Sequence, residues 1–225
     1  MKNIPALDPK VLGLVTEISK EPKVEAAIAF IKDQTEVAML EQIELCEIEA
    51  PTFHEEKRAA SVAERMRQYG LTDVHIDEIG NVIGIRKGSG NGPVLAIGAH
   101  MDSVFPAGTD VKVKKEGNIY RAPGIGDNCS GLRALLQVLR ALEKEDIRTV
   151  GDIWFVGTVG EEGNGDIRGS KHLCANNKLD GFVAIDSTDV GRVLYGAVGS
   201  HRWRLAVDGT GGHSFADFGK TPSAI

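Results

Sequence analysis

The first stretch of the chain carries apolar residues at helical spacing. Val24, Ala27, Ile28 and Ile31 fall on one stripe, and Leu40, Ile43 and their neighbours carry a second, so residues 8–48 are expected to form helices. Pro51 ends this region. Thr52-Phe53-His54-Glu55 then has the form of a capping box, with Thr52 accepting from the Glu55 amide and Glu55 reaching back. The helix it opens should bury Ala59, Ala63 and Met66 and stop at Gly70.

Beyond Gly70 the period shortens to that of strands. Val74 and Ile76 alternate with polar residues, Gly80-Asn81 makes a turn, and an apolar run returns over residues 82–85. After a glycine-rich loop at 88–93, residues 94–99 form a continuous apolar run suited to a strand buried on both faces. Leu132, Leu135, Leu136, Leu139 and Leu142 mark one stripe of a helix starting near Ser130. Residues 153–159 read as a second buried strand, 170–176 as a short helix and 182–185 as a further strand. Buried strands alternating with helices predict an α/β sheet with helices on both faces, and such sheets bind ligands at the carboxyl ends of their strands. From about Val198 the texture changes: Trp203, Leu205 and Val207 alternate with polar residues and run into Gly209-Thr210-Gly211-Gly212-His213-Ser214. Residues 1–197 are therefore read as one domain and 198–225 as the start of a second.

Composition narrows the partners. The 225 residues are 42% hydrophobic and 26% charged, an ordinary globular balance, and the formal charge of −6 argues against a nucleic-acid-binding surface. Cys46, Cys129 and Cys174 are too scattered for a disulfide framework or a cysteine-rich zinc site, which favours free thiols in a reducing compartment. The first nine residues lack an apolar signal core, and no stretch reaches the roughly 20 apolar residues of a membrane span, so a soluble cytoplasmic protein is expected.

Four clusters of metal-ligating residue types follow strands or precede a helix. They are His100-Met101-Asp102, Asp127 before the leucine-rich helix, the adjacent pair Glu161-Glu162, and Asp186. Each has an ordinary explanation alone: a local His–Asp pair, a helix cap, a solvated loop, an exposed turn. Together, an imidazole and several carboxylates without a ligand-like thiolate suit paired zinc, manganese or cobalt ions. Adjacent acids such as Glu161 and Glu162 repel, so a fold that brings both into one cleft gives them a cation or different tasks. Gly124-x-Gly126 lacks the third glycine of a dinucleotide fingerprint, and no Gly-Lys-Ser/Thr phosphate loop is present.

The motifs Gly98-Ala99-His100-Met101-Asp102-Ser103-Val104, Gly126-Asp127-Asn128, Gly160-Glu161-Glu162 and Ile185-Asp186 resemble, in order and spacing, the M20 family of metallopeptidases. That family includes carboxypeptidase G-type enzymes, dipeptidases, peptidase T and amino-acid deacylases. The resemblance implies a zinc-exopeptidase-like mixed sheet flanked by helices, followed by the start of an α+β lid or dimerisation domain. It implies two divalent ions, zinc with cobalt or manganese as alternatives. His100 and Asp186 would hold one, Glu162 the other, and Asp127 would bridge both through a peptide to Asn128 that is cis. Asp102 would orient His100, Glu161 would be the general base, and His213 would reach the partner subunit's site in a homodimer and stabilise the oxyanion. Asp at position 186 is associated more with the family's peptidases than with its deacylases. The implied substrate is a small peptide, with an N-acyl amino acid as the alternative. The family's last histidine ligand lies beyond the lid, so a C-terminally truncated chain is expected. A fragment that only folds or dimerises is the competing reading.

Overall fold

The computed structural model describes residues 8–186, 191–196, 199, 201 and 203–220. The chain divides into two units, Met1–Val190 and Gly191–Ile225.

The first unit opens with α1 (Pro9–Ile18), α2 (Pro22–Asp33) and α3 (Thr35–Cys46), as the helical spacing predicts. The stripes differ from those expected. Ile28 and Leu40 face outward, and α3 instead buries Ala38, Glu41, Gln42, Leu45 and Cys46. Polar burial there is met in part by specific partners, although the Gln42 Oε1 has none. Gln42 donates to the Ile125 carbonyl at 2.5 Å, and Glu41 accepts from the Tyr69 hydroxyl at 2.5 Å. Helical spacing finds the helix, but these tertiary partners decide which face turns inward.

Helix α4 (Glu56–Gln68) buries Ala59, Val62, Ala63 and Met66. It also buries Arg58, whose guanidinium donates to the carbonyls of Met101 at 2.6 Å and Ile48 at 2.5 Å. That arginine fastens the helix to the chain just past His100, and its charge is spread over carbonyl dipoles instead of a carboxylate. The capping box does not form. Glu55 makes no side-chain cap bond, and Thr52 and Glu55 spend their side chains elsewhere.

Five strands form a mixed sheet in the order β1-β2-β6-β3-β7, comprising β1 (Asp73–Ile76), β2 (Val82–Arg86), β3 (Leu95–His100), β6 (Ile153–Thr158) and β7 (Gly181–Ala184). Strands β1, β2 and β6 pair antiparallel, whereas β6, β3 and β7 run parallel. A separate hairpin joins β4 (Lys114–Glu116) to β5 (Ile119–Arg121). Alternation along the strands sorts residues onto two faces. Val82, Ala99 and Phe155 join the cluster built by α4 and by Leu132, Leu135, Leu136 and Leu139 of α5 (Cys129–Lys144). Ile83, Ala96 and Val156 join Leu173 of α6 (Arg168–Asn176) on the other face. The parallel trio β6, β3 and β7 matters most for the site, because their carboxyl ends share one edge.

In the second unit the alternation of Trp203, Leu205 and Val207 forms no strand among the described residues, and these side chains are exposed. A strand needs a hydrogen-bonded neighbour, and the described residues of this unit supply none.

Candidate metal centre

Three parallel strands deliver their ends to one place. His100 is the last residue of β3, Glu161 and Glu162 follow β6, and Asp186 follows β7. Asp127 lies just before α5, and the Asp127–Asn128 peptide is cis as the resemblance implies. Asn128 ties these pieces together. Its Nδ2 donates to the Ile185 carbonyl at 2.9 Å, and its Oδ1 accepts from the Gly131 amide at 3.0 Å, capping α5. One side chain thus fixes Asp127 against the strand end that carries Asp186.

His100 is buried and presents its two nitrogens to different neighbours. Nε2 lies 3.0 Å from Asp127 Oδ1 and 3.9 Å from Asp186 Oδ2. Nδ1 lies 3.0 Å from the Asp102 carbonyl and 3.5 Å from its carboxylate. Nδ1 therefore faces acceptors on the Asp102 side and keeps a proton, while Nε2 faces the carboxylates of Asp127 and Asp186 and is the nitrogen a metal ion would take.

Asp102 does more than the resemblance implies. Its buried carboxylate accepts from the Glu161 amide at 2.9 Å, the Glu162 amide at 3.0 Å and the Thr52 hydroxyl at 2.9 Å. It therefore fixes the backbone of both adjacent acids as well as the imidazole. Burial alone would raise its pKa. The His100 hydrogen bond, the two amides and the imidazole's charge outweigh that and hold the carboxyl at about 2.

Two groups of donor atoms converge within 4.8 Å of one another: His100, Glu161 and Asp186, and His100, Asp127 and Glu162. The field between them calls for positive charge. Burial would lower the His100 pKa, but the hydrogen bond and charge of Asp102, with the charges of Asp186 and Glu161, drive it up to about 9. Burial also raises the Glu161 and Glu162 carboxyls, with neighbouring acids adding to the rise. Nitrogen and oxygen donors around two overlapping centres, with an outer carboxylate behind the imidazole, fit a pair of divalent cations. The set is compatible with di-metal hydrolase chemistry.

The comparisons with known proteins point the same way. The sequence profile described as Peptidase family M20/M25/M40 matches residues 96–201, a span that contains all five of these residues. Residues 96–201, a little under half of the chain, are thus similar to peptidase family M20. Among the chain's relatives is a protein named as a LysW-lysine/LysW-ornithine hydrolase from Pyrococcus abyssi, 35% identical over 53% of this chain and 32% of the relative. The aminopeptidase PepT of Bacillus cereus superposes with a TM-score of 0.58 at 25% identity, over 68% of this chain and 43% of that one. A tripeptidase of Staphylococcus aureus gives 0.56 at 31% identity, over 68% and 44%. The chain thus spans less than half the length of each of these proteins.

Within the matched span the geometry gathers His100, Asp102, Asp127, Glu161, Glu162 and Asp186. Both acids of the adjacent pair come within ligand reach, Glu161 towards Asp186 and Glu162 towards Asp127. His213 belongs to the second unit. Its Nδ1 accepts from the amides of Phe215 and Ala216 at 3.2 Å each, which leaves its proton on Nε2.

Sequence reasoning missed three supports of the site. Thr52 holds Asp102, and Glu55 accepts from the Gly160 amide at 3.0 Å and from the Arg168 guanidinium at 3.1 Å. Gly160 adopts φ +60°, and a Cβ there would collide with that guanidinium. The signal was present in Thr52 and Glu55, but the helix starts at Glu56, and this releases both side chains to the strand ends.

Proposed function

We propose that this domain is the metal-binding part of an M20-type amidohydrolase that cleaves an amide bond in small peptides, with Glu161 as its general base. The observation that carries the reading is the pair of overlapping donor groups sharing His100 at the carboxyl edge of the sheet. His100 and Asp186 would hold one zinc ion, Glu162 the other, and Asp127 both; cobalt and manganese suit the same donors. When bound, the ions polarise the substrate carbonyl and lower the pKa of water at the site towards neutrality.

The remaining tasks belong to the chain. Glu161 takes a proton from the attacking water and returns it to the leaving nitrogen, a task helped by a carboxyl raised above its ordinary value by burial. Asp102 keeps His100 in the metal-binding tautomer and fixes the amides behind both acids. The Nε2–H of His213 is a donor suited to the oxyanion, and we assign it that role across a homodimer formed through the second unit. The solved relatives named aminopeptidase and tripeptidase favour peptides over N-acyl amino acids as substrates. Among the described residues no helix is long and apolar enough to cross a membrane, and the three cysteines are free thiols, which supports action in the cytoplasm.

Glu161→Gln tests the reading. The variant should keep the wild-type metal content, read by elemental analysis, and lose about 10²–10⁴-fold in turnover of tripeptides. Loss of one ion along with activity would make Glu161 a ligand and remove it as the base. No metal uptake by the wild-type protein from zinc, cobalt or manganese would leave only the non-catalytic reading.

A further inference from the structure

Beside the donor cluster lies an open cavity of about 340 Å³ whose walls include Pro51, Phe53, Val104, Phe105, Pro106 and Glu162. Glu162 belongs to both, so the cavity continues directly from the centre that would hold the scissile amide. Its two walls are joined at the base, where the Ser103 amide donates to the Ala50 carbonyl at 2.9 Å and Pro51 bridges Ser103.

Phe53 is the unusual element. Its φ is +77°, a left-handed conformation that costs a bulky side chain energy, and the residue is 49% exposed. Neither feature helps a core. The ring is nevertheless held in place, because the Arg168 guanidinium stacks 5.0 Å from its centroid. Arg168 is itself anchored on the buried Glu55 carboxylate. Opposite stands Val104, 63% exposed. Two apolar side chains are thus presented outward in a space that Glu162 also lines. No lysine, arginine or histidine is among the described residues that line the space.

We propose that this cavity receives an uncharged apolar side chain flanking the scissile amide, with Phe53 and Val104 as its specificity-determining residues. The proposal rests on the amidohydrolase reading above. With Glu162 engaged by the ion it would hold, a charged side chain entering the cavity finds no free counter-charge among the residues that line it. A lysine would lose water against Phe53, Val104 and the prolines without a dedicated partner. An apolar side chain displaces water from these same surfaces at no such cost.

The test is a panel of tripeptides in a glycine background, with Leu, Phe, Asp or Lys at each position in turn, assayed on the metal-loaded protein. At one position Leu or Phe should raise kcat/KM about tenfold or more over Gly. Phe53→Ala should collapse that ratio, and Val104→Lys, which supplies a cation at an exposed position, should move the preference towards Asp. Ratios that are flat in the wild type, or unchanged in both variants, overturn the subsite. Absence of metal-dependent hydrolysis for every peptide is a different result and removes the peptidase reading. Saturation-transfer NMR with the same peptides then decides the subsite. Selective binding of Leu and Phe peptides that Phe53→Ala abolishes sustains it, and equal binding by all peptides overturns it.

Discussion

Replacing Asp102 by Asn changes one oxygen to an amide nitrogen in a fully buried side chain, and its cost can be worked out in two ways. The carboxylate holds two backbone amides and one hydroxyl and faces an imidazole. Asn keeps one acceptor oxygen but turns its NH2 towards a donor, so at least one buried group loses its partner, at about 1–3 kcal/mol. Independently, a carboxyl held at about 2 against an ordinary 3.8 corresponds to roughly 2 kcal/mol of folded-state stabilisation. The estimates agree, and for a chain of this size the loss lowers Tm by about 4–8 °C. The sign with pH follows from the depressed value. Ionised Asp102 contributes its full stabilisation above its unfolded pKa near 4, and the contribution fades as pH falls towards about 2. Urea denaturation of metal-stripped wild type and Asp102→Asn, from pH 7 to pH 2.5, measures the difference directly, since other carboxyls titrate in both proteins. The gap should be about 2 kcal/mol at neutral pH and shrink below pH 4. Equal stability at pH 7, or a gap that persists unchanged to pH 2.5, would refute the placement of an ionised Asp102 behind the two glutamates.

Other perturbations probe the centre from different sides. His100→Ala removes the donor common to both groups, so metal affinity measured by chelator competition should fall by more than the 10–100-fold typical of an outer partner. A smaller drop would demote His100 from ligand to neighbour. If His213 acts across a homodimer, mixing Glu161→Gln with His213→Ala subunits should yield heterodimers with one working site each, or about a quarter of wild-type activity in a random mixture. Verified heterodimers without activity would confine His213 to a structural turn.

The sheet and its helices were legible because their signals are local. Residues 94–99 and 153–159 are continuous apolar runs, and the structure places β3 and β6 there within a residue. The leucine stripe of α5 is likewise the seam that packs on the sheet. Local pattern failed where packing partners lie far along the chain. Nothing near Glu41 or Gln42 indicates that they bond to Tyr69 and Ile125, so Leu40 and Ile28 look like the better core residues although both are exposed. Arg58 is a similar case: a charged residue on an amphipathic helix normally faces water, but three carbonyls around it make burial possible.

The site divides along the same line. His100, Glu161, Glu162 and Asp186 could be placed together because parallel strands end on one edge, and that needs only the strand assignment. The supporting layer needed tertiary information. Thr52 and Glu55 satisfy the spacing of a capping box, and a start at Phe53, three residues earlier, would have consumed both side chains in the helix terminus. Beginning α4 at Glu56 instead frees Thr52 to hold Asp102 and Glu55 to hold Gly160 and Arg168. Both contacts converge on the backbone of residues 160–162. Two adjacent acids in one cleft repel each other, so their peptide must be fixed by something other than their own side chains. Asp102 holds it through the amides of Glu161 and Glu162, and Glu55 holds the turn just before it. The adjacency of Glu161 and Glu162 is therefore stabilised by a second pair of buried carboxylates. Their partners come from the start of α4 and from α6, the segments where the sequence alone suggested only helix termini.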